Sequence, residues 1–154
     1  MSEADFAILT VGAARVVTDR LGAALERAGI DDMRPAFGFV IRVLAERERT
    51  LTELAELLAV TKQAAIKVVD EMESRGFVER RPDKADRRAK VLALTDRGRR
   101  VRRTALTASR RMEGELRREL GDDQVDAFRT VLLRFLERHD ALEAAAAGRA
   151  RALW

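Results

Sequence analysis

LTELAELLAV (51–60) and TKQAAIKVVDEMESRG (61–76) are two short helical patterns set end to end, followed by FVERR (77–81), PDKADRR (82–88) and KVLALT (90–95). In the first, Leu54, Leu57 and Leu58 recur at the helical period and form an inward face. Thr50 and Glu53 have the spacing of a capping box, which starts this helix between Thr50 and Thr52. The methyl of Ala55 suits a point where two helix backbones approach closely. Thr61 is a good N-cap for the second helix, with Val60 and Ala65 able to staple across it. Ala65, Val68, Val69 and Met72 then form its core stripe, so Lys62, Gln63, Ile66 and Lys67 are left outside. Gly76 permits the positive φ of a helix C-cap. Residues 77–81 and 90–94 are short alternating segments, expected as two antiparallel strands with Phe77 and one of Val91 or Leu92 inward. The tip between them carries Lys84, Arg87 and Arg88.

Working outward, Phe6, Leu9, Val16, Val17, Leu21 and Leu25 recur as one helical stripe, which Gly29 ends. Pro35 suits the first turn of another helix, with Phe37, Val40, Ile41 and Leu44 on one face and an end near Glu48. Thr95 caps a long helix to about Leu120, rich in arginine over its first half and crossed by a sparse stripe through Val101, Leu106, Met112, Leu116 and Leu120. Gly121 breaks the pattern, and Asp122 or Asp123 opens a last helix with Val125, Phe128, Leu132, Phe135 and Leu136 in period. The expected fold is mainly α with a small β-hairpin: a winged helix-turn-helix over residues 35–98, flanked by terminal helices at 5–29 and 122–142, in a single domain of residues 1–154. The terminal helices hold more apolar surface than a small helix-and-wing core needs. That surplus predicts a homodimer clasped through them, against the alternative of an internal core.

Composition narrows the function. The chain has 154 residues, 47% hydrophobic and 36% charged, a globular composition for one domain. Without cysteine there is no disulfide, thiolate metal site or thiol sensor. His139 is the only histidine, so a zinc centre is not expected. No nucleophile paired with a base, phosphate loop or cofactor motif is visible, which argues against an enzyme and against a bound cofactor. The first residues lack the basic region and apolar run of a secretory leader, and no stretch of 18 apolar residues occurs, so a soluble, cytoplasmic protein without a membrane partner is expected. Residues 62–103 hold 14 Lys or Arg against 7 Asp or Glu, so the rest of the chain is net acidic although the total is +4. Basic charge gathered on the helix-and-hairpin unit fits a polyanion partner.

The residue types suit double-stranded DNA. A helix in the major groove discriminates sequence through side chains matched to base edges. Gln63 fits an adenine edge, Lys67 a guanine or a phosphate, and Ala64 or Ile66 a thymine methyl. Thr61, Lys62 and the first-turn N–H groups are suited to hold a backbone phosphate. On the hairpin tip, Arg88 first and Arg87 second are candidates to enter a narrow minor groove, with Lys84 beside them. Asp86 would repel phosphate if it pointed outward, and is expected to pair with a wing arginine or with Arg75. A second function class is a non-enzymatic winged-helix module that uses the same basic face for RNA or a protein partner.

The ordered run of Leu54 and Ala55, core-facing Val68 and Met72, Arg75, Gly76, Phe77 and Val78, then Asp86, Arg87 and Arg88, Leu94, Thr95 and Gly98 resembles the MarR family of bacterial transcription regulators. The resemblance extends to the flanking helices and so over most of the chain. It implies a homodimeric winged helix-turn-helix, a recognition helix over residues 62–75, and a wing in which Asp86 and Arg88 match the family's charged pair. It further implies binding to a pseudo-palindromic operator, usually as a repressor, with release by a small aromatic ligand in a cleft between the dimerising and DNA-binding parts. Arg15, Phe37, Phe39, Ile41 and Arg42 are the residues named for such a cleft. The chain departs from the thiol-oxidised and zinc-sensing branches, having no cysteine and no histidine cluster, and it has no tyrosine to hydrogen-bond a ligand.

Overall fold

A computed structural model describes residues 5–83 and 88–139. At its centre Leu51–Leu58 forms a helix, α3, whose start is fixed by both halves of the capping box: the Thr50 hydroxyl accepts from Glu53 N–H at 3.2 Å and the Glu53 carboxylate accepts from Thr50 N–H at 2.7 Å. These hydrogen bonds, the backbone one foremost, hold the Glu53 carboxyl below its ordinary range, opposed by partial desolvation and helped by Arg47. Ala59 ends α3 in the left-handed region at φ 51, and Val60 N–H returns to the Ala55 carbonyl at 3.0 Å. That tight exit puts Thr61 in place to cap the next helix, α4, at Lys62–Ser74. Here the Thr61 hydroxyl accepts from Ala64 N–H at 3.2 Å.

Before this pair come α1 (Phe6–Arg27), α2 (Pro35–Glu46) and a two-residue strand β1 (Arg49–Thr50); after it come β2 (Val78–Pro82), β3 (Lys90–Leu94), α5 (Asp96–Leu120) and α6 (Asp122–Arg138). The sheet is antiparallel in the order β1-β3-β2, with Thr50 opposite Val91 and Arg80 opposite Leu92. Two strands are expected from the sequence and three are found, because β1 is too short to leave a period-2 pattern. A second difference is that Val91 and Leu92, on opposite faces of β3, are both buried along with Ala93 and Leu94, rather than one of them facing inward, in a strand against which α2, α3 and α5 all pack.

Phe37, Val40, Ile41, Val43 and Leu44 of α2 meet Leu54, Val69, Met72, Phe77, Leu92, Leu94 and Val101 in one core. The Phe37 and Phe77 rings pack 6.0 Å apart. The terminal helices differ. Of the α1 stripe only Leu25 is buried, whereas Phe6, Leu9, Val16 and Val17 are exposed; in α6 only Val125 is buried, and Phe128, Val131, Leu132 and Phe135 are exposed. Both helices pack along α5, and beyond the edge contact of Phe6 with Phe135 their outer stripes stay largely exposed among the described residues. No helix of the described residues is long and apolar enough to cross a membrane.

Candidate nucleic-acid interface

The burial of Ala65, Val69 and Met72, with Val68 half-buried, rotates α4 so that Thr61, Lys62, Gln63, Ala64, Ile66 and Lys67 all lie on its exposed side. The stripe forecast from spacing is the one observed, and six of the expected reading residues share one surface. Thr61→Ala removes the cap of this helix and is expected to cost about 1 kcal/mol, read as a lower thermal midpoint.

The acidic residues of α4 are neutralised by arginines from other elements. Arg80 of β2 reaches both Asp70 and Glu73, joining the sheet to the helix; Arg34 reaches Glu71 at 2.9 Å, and Arg75 shares that carboxylate at 2.5 Å. Arg75 also donates to the Asp32 carbonyl at 2.7 Å and lies over the Phe37 ring, so it is engaged by the loop before α2. Arg97 of α5 closes the circuit, pairing with Asp32 at 2.9 Å and donating to the Arg75 carbonyl at 2.8 Å. Individually such part-exposed pairs contribute little to stability. Together they turn the carboxylates of the second half of α4 toward partners and leave its first half basic. Arg80 is the residue that reading the sequence missed; the signal was Asp70 and Glu73 at i, i+3 spacing, close in sequence to the basic FVERR strand.

At the wing, Asp83 N–H donates to the Ala89 carbonyl at 3.0 Å, closing the base of the tip. Arg88 lies in the exposed turn that leads into β3. Lys84, Asp86 and Arg87 lie outside the described residues. On the other side of the wing, Arg81 pairs with Glu48, tying β2 to the segment between α2 and β1.

The residues named for a ligand cleft are dispersed. Phe37 and Ile41 are core residues with 1% and 2% exposure, Phe39 is half-buried, and Arg42 is exposed. Arg15 is on the solvent side of α1, 3.8 Å from Asp19. Among the described residues no group of three His, Asp or Glu side chains is placed to hold a metal ion.

Residues 38–89 match the model of the MarR family. That segment contains α3, α4 and β2 with the turns between them. The transcriptional repressor MprA of Escherichia coli (strain K12) is 30% identical over 92 residues, which are 60% of this chain and 52% of that protein. The chain thus spans about half the length of the curated relatives it matches. Among solved structures, RV1404 from Mycobacterium tuberculosis superposes with a TM-score of 0.70 at 23% identity, covering 89% of this chain and 96% of that one. The transcriptional repressor CouR, bound to a 23-mer DNA duplex, gives a TM-score of 0.62 at 26% identity over 85% and 92% of the two chains. The chain is thus similar to the MarR family over residues 38–89, a segment set inside a helix-and-wing fold shared with these solved structures.

Proposed function

We propose that the protein is a homodimeric, sequence-specific transcription regulator that binds a pseudo-palindromic duplex operator and acts as a repressor. The observation that carries this reading is the outer side of α4, where Lys62, Gln63, Ile66 and Lys67 stand exposed and the acidic residues of the same helix are held by arginines. In this arrangement Thr61, Lys62 and the helix amino terminus take a phosphate. Gln63, Ala64, Ile66 and Lys67 face base edges in the major groove. Arg88, with Lys84 and Arg87, serves the minor groove, and Asp86 steadies the wing. The dimer is supported by the uncovered stripes of α1 and α6, and the repressor reading by the likeness to the transcriptional repressors MprA and CouR. Release by a small aromatic ligand belongs to the same proposal.

Selection of duplexes from random DNA by the purified chain tests it. The expected product is an inverted repeat whose binding weakens steeply with salt; recovery of unrelated duplexes with equal affinity would sink sequence-specific regulation. On the selected site, Arg88→Ala is expected to weaken binding by roughly 1–3 kcal/mol if it makes a bidentate base contact. Gln63→Ala is expected to relax preference at one base pair per half-site by roughly the same amount. Lys67→Ala distinguishes its two roles: a phosphate contact lowers the salt slope by about one and weakens all sequences alike.

A further inference from the structure

Lysine and arginine occupy different parts of this chain. Of its 30 basic residues only four are lysine, Lys62, Lys67, Lys84 and Lys90, and all four fall between positions 62 and 90. Helices α1, α2, α5 and α6 carry their positive charge on arginine alone. The cations that tie elements together are arginines as well: Arg34 with Glu71, Arg80 with Asp70 and Glu73, Arg81 with Glu48, and Arg97 with Asp32. By contrast Lys62, Lys67 and Lys90 are exposed, and their side chains make no hydrogen bond or ion pair among the described residues. Taking the charge from Arg80 or Arg97 would strip a carboxylate of its partner, whereas taking it from Lys62 or Lys67 breaks nothing inside the chain. The two side chains also differ in reactivity. A guanidinium stays protonated, but a lysine amine that has lost its proton is open to acylation, which removes the charge.

We propose that Lys62 and Lys67 are acylation sites, and that their reaction with an acyl phosphate releases α4 from the DNA backbone while the chain stays folded. The inference rests on the reading of α4 as the DNA-facing helix. In the reaction the lysine ammonium gives one proton to water and the free amine attacks the acyl carbon. A C–N bond forms, the bond from the acyl carbon to the phosphate oxygen breaks with its electron pair, and the departing phosphate takes a second proton from the nitrogen. The products are a neutral amide and inorganic phosphate, with no change of oxidation state. Charge selects the donor class: an acyl phosphate is an anion, and residues 62–103 hold 14 Lys or Arg against 7 Asp or Glu, so the helix-and-wing unit draws it. Each amide formed removes one contact that releases a counterion, so the effect adds along the helix and doubles on a site with two half-sites. With no lysine on α1 or α6, the same reaction leaves the outer stripes of those helices as they were.

Treatment of the full chain with acetyl phosphate tests it, with peptide mass mapping, duplex binding and thermal melting on the same sample. Lys62 and Lys67 are expected to be acetylated in the free chain and protected when the selected duplex is added first. Binding should weaken on the order of a hundredfold, and the salt slope should fall by about one for each lysine acetylated. The oligomeric state should hold, and the thermal midpoint should stay within about 2 °C. Lys84→Arg with Lys90→Arg leaves only the two proposed sites and should keep the loss on treatment. Lys62→Arg with Lys67→Arg, whatever its starting affinity, should lose at most about tenfold on treatment, because a guanidinium is not acylated. Duplex binding that survives acetylation of both lysines, acetylation that spares both while reaching Lys90, an equal loss in Lys62→Arg with Lys67→Arg, or a midpoint that falls along with binding would each overturn the inference. An untreated parent that binds no duplex ends the proposed function and the inference together; an untreated parent that binds, and binds as well after treatment, ends the inference alone.

Discussion

Phe128→Glu combined with Leu132→Glu is expected to convert a dimer to a monomer in solution and to lower affinity for a two-half-site operator by about 10²–10⁴-fold. Both positions are on the outer stripe of α6, where Phe128, Val131, Leu132 and Phe135 repeat at i, i+3, i+4 and i+7. Phe128 is 52% exposed and Leu132 40%, so within one chain the double change removes little packing and the thermal midpoint of the monomer should move only slightly. In a dimer it buries two like charges on each side of a symmetric contact, a cost of several kcal/mol that such an interface cannot absorb. The two readouts separate the explanations. Solution mass and operator affinity should fall together, while binding to a single half-site stays within about threefold of the parent, since linking two modules changes affinity without changing either contact. A parent chain that is already monomeric at micromolar concentration would contradict the dimer, and the uncovered stripes would then need another occupant.

The geometry around Arg117 bears on the same prediction. Arg117 of α5 pairs with Glu113 in its own helix and with Asp122 and Asp126 at the start of α6, and Glu113 in turn holds Arg129. This cluster spans the Gly121 bend and fixes the angle at which α6 leaves α5. Its hydrogen bonds to Asp126, Glu113 and Asp122 raise the Arg117 pKa, and that of Asp126 is lowered mainly by the bond to Arg117. Arg117 is half-buried and Asp126 exposed, so the cluster contributes direction more than stability. In the proposed dimer, a change in that angle would alter the distance between the two α4 helices rather than the contacts of either one.

What could be read from the sequence follows the range of the forces involved. The capping box of Thr50 and Glu53, the Thr61 cap, the Ala65, Val68, Val69 and Met72 stripe and the positive φ of Gly76 are all local, set by residues within one or two turns, and they determine which side of α4 is exposed. Less visible was anything made by distant residues. Strand β1 has two residues and owes its pairing to β3, some forty positions later in the chain. Arg80 and Arg97 read as parts of a basic surplus, whereas the fold gives each a carboxylate from another element. Ala59 takes the left-handed conformation that glycine or asparagine more often occupies, because the tight exit from α3 requires it there. Phe37 and Ile41, expected from the resemblance at a ligand cleft, are carried by their apolar character into the core.

Gly98→Ala has an expected effect whose sign is opposite to what helix propensity dictates. Gly98 stands in the first turn of α5, where replacing glycine by alanine ordinarily stabilises a helix by about 1 kcal/mol. Here a Cβ would lie 2.2 Å from the Phe77 carbonyl oxygen and 3.2 Å from Leu94 Cδ2. The obstacle is backbone, and that backbone is committed: the same Phe77 carbonyl accepts from Thr95 N–H at 3.1 Å, and the Thr95 hydroxyl donates to the Gly76 carbonyl at 2.5 Å. Relieving the clash means lifting the start of α5 from the entry to β2, opening the core at Phe77 and Val101. The expected loss is about 3 kcal/mol, the upper part of the range for overpacking, which lowers the thermal midpoint by roughly 10 °C in a domain of this size. Gly12→Ala, with nothing within 4 Å of its Cβ in the middle of α1, supplies the propensity effect alone and should raise the midpoint slightly. Gly76→Ala, in open space at φ +72, isolates the backbone cost and should lose about 1–2 kcal/mol. A Gly98→Ala midpoint at or above that of the parent would mean that α5 does not rest on the Phe77 carbonyl, and the rigid link between the reading unit and the long helix would have to be made elsewhere.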